Sequence, residues 1–396
     1  MTRFYKKEVS MKDEVQFFDT TGRDGKQAPG NNHSPADTLR IARQVADLGV
    51  SVFEAGFAAS SSADFESVQL VATQVPELVC CSFARALQAD IDVAAKALAT
   101  AKHPRVHTFI ATSDLHLQYK LQMSRSEAID RAVMAVARAK DLVGDVQFSA
   151  EDATRSDIDY LKLMVREVIL AGVRTINLPD TVGYAQPHEI AELVGRIINE
   201  VSEVHEYGVV VSVHCHDDLG LATANSLAGI KAGARQVECT VNGIGERAGN
   251  THYAEVVMAL ETRADYFGVQ HRIDTQKIAQ TAKLVSSIVG KPTPDTLAIV
   301  GEHVFAHGAG IHQHGMLQHP MMYQIMLPET VGWKAEQFPL SAQSGRHGLQ
   351  KRLALLGYQV TGNALAVTYQ HFIEVAVAKV LVTDDDLHDM MHRLVS

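Results

Sequence analysis

Eight short runs rich in β-branched and aromatic residues alternate with longer segments whose apolar positions recur at helical spacing. The runs are EVQFFDTT (14–21), VSVFEAGF (50–57), LVCCSFAR (78–85), RVHTFIAT (105–112), DVQFSAED (145–152), TINLPDT (175–181), VVVSVHCH (209–216) and QVECTVNG (236–243). Nearly continuous apolar runs of this length are what parallel strands look like when both faces are covered. The first intervening segment carries its own start and stop. Ser34 is placed to cap, Pro35 suits the first helical position, and Gly49 can take the left-handed stop. Leu39, Ala42, Val45 and Ala46 recur between them at helical spacing. Stretches 126–143, 157–172 and 187–201 read as helices in the same way.

Strand-then-helix units in this number, over about 260 residues, predict an α/β fold of the (β/α)8 TIM-barrel kind; an open doubly wound sheet is the alternative. After about residue 265 the pattern changes. Residues 272–290 read as a helix stopping at Gly290, and GEHVFAHGAGIHQHGMLQHP (301–320) has no clear period. Helices are expected again at 347–357, 363–381 and 385–395. The predicted division is a barrel over 1–270 and a mostly helical C-terminal appendage over 271–396.

Reactive side chains gather at the C-terminal ends of the predicted strands, where barrel active sites are built. Asp19, Arg23 and Asp24 follow the first strand, Glu54 and Arg85 lie in the second and third, and His107 in the fourth. Glu151 ends the fifth, Thr181 the sixth, and His214 and His216 the seventh. Residues two apart on a strand share a face, so the two imidazoles project together and Cys215 points away. With Asp24 they form a set suited to a divalent cation that keeps positions open, and Asn250 can add an amide oxygen. Zn2+, Mn2+ and Mg2+ all remain possible, as does the plainer reading of two histidines lining a polar cavity. Arg23 would bring a fixed positive charge close to such a metal, the arrangement wanted where an enolate or alkoxide oxygen develops, or it simply ties the mouth together by an ion pair. Glu151 can orient a water or a base, or sit in a salt bridge with Arg155. GIGERA (243–248) fits the dinucleotide-binding pattern but follows the last strand instead of opening the first helix, so that reading is rejected.

Composition narrows the class. A net charge of −10 argues against nucleic-acid or membrane-surface binding. No apolar run is long enough to span a bilayer, and the start MTRFYKKEVSMKDE lacks the apolar segment of a secretory signal. Four cysteines without a C-x-x-C spacing suggest neither disulfides nor a structural zinc, and fit a reducing cytoplasm. Among 19 histidines, sequence alone does not single out a catalytic one from His303, His307, His312, His314 and His319.

Two long motifs carry a resemblance. FFDTTGRDGKQ (17–27) is similar to a signature usually written D-T-T-L-R-D-G-E-Q, and SVHCHDDLGLATANSLAGIKAGARQVECTVNGIGERAGN (212–250) to its companion. Both belong to the metal-dependent Claisen-condensing TIM-barrel synthases, which make 2-isopropylmalate, homocitrate and citramalate. FSAEDATRSD (148–157), INLPDTVGYAQP (176–187), AHGAGIHQHG (306–315) and SGRHGLQKRL (344–353) resemble the 2-isopropylmalate branch. The resemblance runs along almost the whole chain. It implies that acetyl-CoA loses a methyl proton, that the enolate attacks the carbonyl of a 2-oxo acid, and that the thioester is hydrolysed, a step of leucine biosynthesis.

The resemblance also assigns residues. Asp24, His214, His216 and Asn250 would hold the metal, Arg23 would stabilise the oxyanion, and Glu151 with His312 would move the proton. Tyr323 would assist from the appendage. Ser149 and Thr181 match positions near the oxo acid, and His107 and Arg85 join them as acceptor-binding candidates. The implied assembly is a homodimer with His312 supplied in trans. Gly22 and Lys26 stand where the family has Leu and Glu, and EAGFAASSSADFE (54–66) lacks prolines expected after Phe57 and Ser61. These departures leave the acceptor open: 2-oxoisovalerate leads, with phenylpyruvate, pyruvate and 2-oxoglutarate behind it. A retro-Claisen lyase of the same barrel kind is the competitor from another class. The match ends before the leucine-binding domain that usually follows, which implies no leucine feedback through such a domain.

Overall fold

The computed structural model describes residues 13–333, 339–379 and 381–395. The eight expected strands are all present: β1 (Gln16–Asp19), β2 (Val52–Gly56), β3 (Val79–Arg85), β4 (Pro104–Ala111), β5 (Val146–Glu151), β6 (Thr175–Asp180), β7 (Val210–Cys215) and β8 (Gln236–Cys239). They pair in parallel, each with the next, and β8 closes on β1 with Gln16 opposite Gln236 and Asp19 opposite Cys239. The closed barrel excludes the open sheet.

The local signals explain the helices. In α1 (Pro35–Leu48) the Ser34 side chain accepts from the Asp37 N–H while Asp37 reaches back, a reciprocal cap, and Pro35 sits at the first helical position. Gly49 ends the helix at φ 99°, and a Cβ there would lie 2.5 Å from the Arg272 carbonyl oxygen. Ile41, Ala42, Val45 and Leu48 are buried against the barrel side. Helices α2 (Ser62–Gln74), α3 (Gln88–Ala97), α4 (Arg125–Val143), α5 (Ile158–Ala171), α6 (Pro187–Glu200), α7 (Ala222–Ala232) and α8 (Tyr253–Thr262) follow the remaining strands in turn.

The chain divides into two compact units, one ending at Pro292 and the other beginning at Thr293. The division falls later than residue 270 because α9 (Ile278–Val289) stays with the barrel: Gln44 Nε2 of α1 donates to Thr281 Oγ1 at 3.0 Å. Below its mouth the barrel interior carries a polar layer. Arg105 donates to Gln147 and Gln236, Gln236 donates to Ser212, and Gln147 donates to Glu238. All five of these side chains are buried, so each polar atom needs a partner inside the barrel.

The second unit contains α10 (Gly310–Gln318), α11 (Arg346–Leu355), α12 (Gly362–Val377) and α13 (Asp384–Val395). Leu349, Leu353, Phe372, Leu387 and Met390 form an apolar core among the last three helices. Helix α10 lies in the stretch without a period. It holds together through Gln313, fully buried, whose Nε2 donates to the His307 carbonyl at 2.7 Å.

Candidate active site

Strand β7 ends on the two imidazoles. His214 and His216 are both buried, with ring centroids 4.9 Å apart and their Nε2 atoms 3.2 Å apart. The Nδ1 atoms are occupied elsewhere. His216 Nδ1 donates to the Gly249 carbonyl at 3.1 Å, and His214 Nδ1 lies 2.9 Å from Glu238 Oε2, whose residue is its register partner on β8. The Gly249 contact places the His216 proton on Nδ1, the Glu238 carboxylate faces the Nδ1 side of the His214 ring, and both Nε2 atoms turn toward each other at the cluster. The loop after β8 turns back here: Asn250 bridges His216, and the Asp217 N–H donates to the Gly249 carbonyl at 3.1 Å.

Asp24, in the turn after β1, completes the cluster; one donor atom each from Asp24, His214 and His216 lie within 4.8 Å of one another. Asn250 Nδ2 donates to Asp24 Oδ1 at 3.0 Å, while Asn250 Oδ1 is buried without a hydrogen-bond partner. Burial alone would disfavour the Asp24 charge, but Arg23 and the two histidines hold this carboxyl far below the usual carboxylate range. Burial, with the His214 charge, pushes His216 down to about 4. Burial also disfavours charge on His214, yet the Glu238 carboxylate outweighs it and raises its pKa. An ionised carboxylate, two converging imidazole Nε2 atoms and an unpartnered amide oxygen are the kinds of donor a divalent cation takes, so the expected ligand set fits.

A cavity of about 260 Å3 opens beside the cluster. Arg23, Asp24, His107, Ser149, Glu151, Thr181, His214 and His216 line it, so the structure brings eight of the expected residues to one place. Arg23 Nη1 donates to Asp24 Oδ2 at 2.7 Å, and its guanidinium lies 4.3 Å from the centre of the Phe83 ring. Phe83 stacks on Phe109 with ring centroids 4.5 Å apart, giving the cavity an aromatic wall. His107 Nε2 lies 2.7 Å from Ser149 Oγ, and Asn177 Nδ2 donates to the same oxygen at 2.8 Å. Thr181 Oγ1 accepts from the Asp152 N–H at 2.9 Å.

Two expectations change. Arg85 is not among the residues lining the cavity: its side chain is 56% exposed and forks onto Asp90 at 2.7 and 3.1 Å, because Asp90 opens α3 directly beneath it. Arg155 does not pair with Glu151; it pairs with Asp152, three residues before it. Glu151 instead accepts from Lys120 Nζ at 2.6 and 2.8 Å, and Lys120 sits on a widened π turn at Leu117–Leu121. His312 and Tyr323 lie in the second unit, both exposed, with ring centroids 4.5 Å apart.

The departures at Gly22 and Lys26 have local causes. A Cβ on Gly22 would lie 2.7 Å from the Glu54 carbonyl oxygen and 2.8 Å from Phe53, which fills the space. Lys26 Nζ pairs with Asp64 Oδ1 at 2.6 Å, so its charge is answered by α2. Sequence reasoning did not give functions to Glu238, Lys120 or Asn177. Glu238 carried a signal, since it faces His214 across β7 and β8 once the strands are in register.

The barrel and the acid–imidazole cluster at its mouth define the class: residues 14–285 match the HMGL-like family, and residues 299–380 match the homocitrate synthase post-HMGL domain-like family. Within that class the chain belongs to the 2-isopropylmalate synthase family. It is 48% identical over 384 residues to the 2-isopropylmalate synthase of Aquifex aeolicus, spanning 97% of this chain and 74% of the relative. The enzyme of Carboxydothermus hydrogenoformans is 50% identical over 377 residues, with 95% and 74% covered. The 2-isopropylmalate synthase 1 of Caldanaerobacter subterraneus is 48% identical over 373 residues, with 94% of each chain covered. Among solved structures, the hydroxymethylglutaryl-CoA lyase of Pseudomonas aeruginosa shares the fold at TM-score 0.60 and 21% identity, over 71% of this chain and 95% of the lyase.

Proposed function

We propose that this enzyme condenses acetyl-CoA with 2-oxoisovalerate and hydrolyses the resulting thioester with water, giving 2-isopropylmalate and CoA. The observation that carries the reading is the meeting of Asp24, His214, His216 and the unpartnered Asn250 oxygen beside Arg23, in a chain of this family. These four residues would hold a divalent cation (Mg2+, Mn2+ or Zn2+). When bound, such a cation supplies the Lewis acidity that polarises the carbonyl of a 2-oxo acid.

The protein's own groups do the rest. Arg23, held on Asp24 and Phe83, keeps a positive charge where oxygen gains negative charge in the condensation. His107, Ser149 and Thr181 shape the acceptor side of the cavity. Glu151, kept facing the cavity by Lys120, is the proton-handling carboxylate on this reading, with His312 as its partner. We propose that His312 and Tyr323 act on a partner subunit's barrel in a homodimer, and that the enzyme works in the cytoplasm; its four cysteines are buried free thiols.

The dimer proposal is tested by mixing inactive His214→Ala and His312→Ala proteins under subunit exchange. Up to about a quarter to a half of the activity should return, as one intact shared site forms per heterodimer. Heterodimers that form without activity would contradict the exchange.

A further inference from the structure

We propose that Glu54 is the positioning residue of this site, one carboxylate that aims both the charge of Arg23 and the acceptor-binding line of His107 and Ser149; the catalytic part of this rests on the condensation proposed above. Glu54 sits on β2 with no exposed surface and is not among the residues lining the cavity, so it acts through its neighbours. Its Oε2 accepts from Thr20 Oγ1 at 2.7 Å and from Arg23 Nε at 2.7 Å. Its Oε1 lies 2.7 Å from His107 Nδ1.

Two consequences follow from these three contacts. The guanidinium is held at Nε by Glu54 and at Nη1 by Asp24, so it cannot pivot about a single bond. With the Nδ1 proton directed at Glu54, His107 offers a lone pair at Nε2, and the Ser149 hydroxyl spends its hydrogen there. Asn177 Nδ2 fills a second position on Ser149 Oγ, and Asn177 Oδ1 is left buried without a partner. The His107 ring and the Ser149 hydroxyl are therefore held in one orientation at the cavity wall. Glu54, Cys81 and His107 also lie close enough together for a metal. That use is excluded by the hydrogen bonds, because Thr20, Arg23 and His107 already surround the carboxylate.

The test compares the full-length enzyme with Glu54→Gln, Glu54→Asp, His107→Asn and the Glu54→Gln/His107→Asn double variant. The Glu54→Gln protein should lose about 100-fold in kcat, the scale of a misaimed oxyanion donor, while Mn2+ affinity by titration stays within about threefold. Glu54→Asp should recover part of that loss. The double variant should lose less than the product of the two single losses, since His107 works through Glu54. Histidine 15N NMR should find the His107 proton on Nδ1 in the parent and displaced or exchanging in Glu54→Gln. A folded Glu54→Gln protein with parental kcat and an unchanged His107 signal would overturn the proposal, and so would multiplicative losses. If Glu54→Gln does not fold, Glu54→Asp takes its place in both the cycle and the NMR comparison, with the same two outcomes deciding. If the parent releases no CoA from any acceptor, the condensation fails, while the NMR comparison still decides whether Glu54 sets the His107 tautomer.

Discussion

Glu238 does for His214 what the Gly249 carbonyl does for His216: it takes the Nδ1 side of the ring and leaves Nε2 to face Asp24. Outer partners of this kind fix the tautomer and orientation of a metal-binding ring and so tune its affinity. Glu238→Gln should therefore weaken Mn2+ binding by about 10–100-fold, as read by titration of the apoprotein. Parental affinity would show that His214 needs no such support. A second residue-scale effect lies away from the cluster. His33 is 3% exposed with neither ring nitrogen hydrogen-bonded, and burial, aided by the Lys26 charge, pushes it down to about 4. Above pH 6.5 both folded and unfolded chains hold this ring neutral, so it has no pH-dependent effect there. As pH falls from 6.5 toward 4 the unfolded chain binds a proton that the folded one refuses, costing up to about 3 kcal/mol. His33→Gln should flatten that part of the stability-against-pH curve in denaturant melts; an identical slope would contradict the assignment.

At the scale of elements, the loop after β8 makes the site by backbone approach. A Cβ at Gly245 would lie 2.0 Å from Asn250 Nδ2 and 2.9 Å from Asp24 Oδ1. Gly245→Ala should push Asn250 off Asp24 and weaken Mn2+ binding at least about tenfold, with little change in far-UV circular dichroism. The strands were legible in the sequence because each is a nearly continuous apolar run, whose ends shift by at most four residues in the structure. The pairing of His214 with His216 was legible because strand geometry alone puts them on one face. Helix α10 was not, since its glycines, histidines and glutamines show no apolar period and its anchor is the polar Gln313. The Lys120–Glu151 pair was equally hidden, because it depends on a π turn that no spacing rule announces. Arg85 misled by position: it ends a barrel strand, but Asp90 five residues on claims its guanidinium.

For the whole molecule, the two units divide the labour that the family resemblance expects. The barrel brings Asp24, His214, His216, Arg23, Glu151, His107, Ser149 and Thr181 to one cavity, while His312 and Tyr323 stand together on the second unit. Among the described residues no helix is long and apolar enough to cross a membrane. The measurement that bears most directly on the account is release of free CoA from acetyl-CoA against 2-oxoisovalerate, pyruvate, phenylpyruvate and 2-oxoglutarate, before and after rigorous removal of metal. Release should be highest with 2-oxoisovalerate, vanish on metal removal, and return with Mg2+, Mn2+ or Zn2+. No release with any acceptor, or release indifferent to metal removal, would contradict the account.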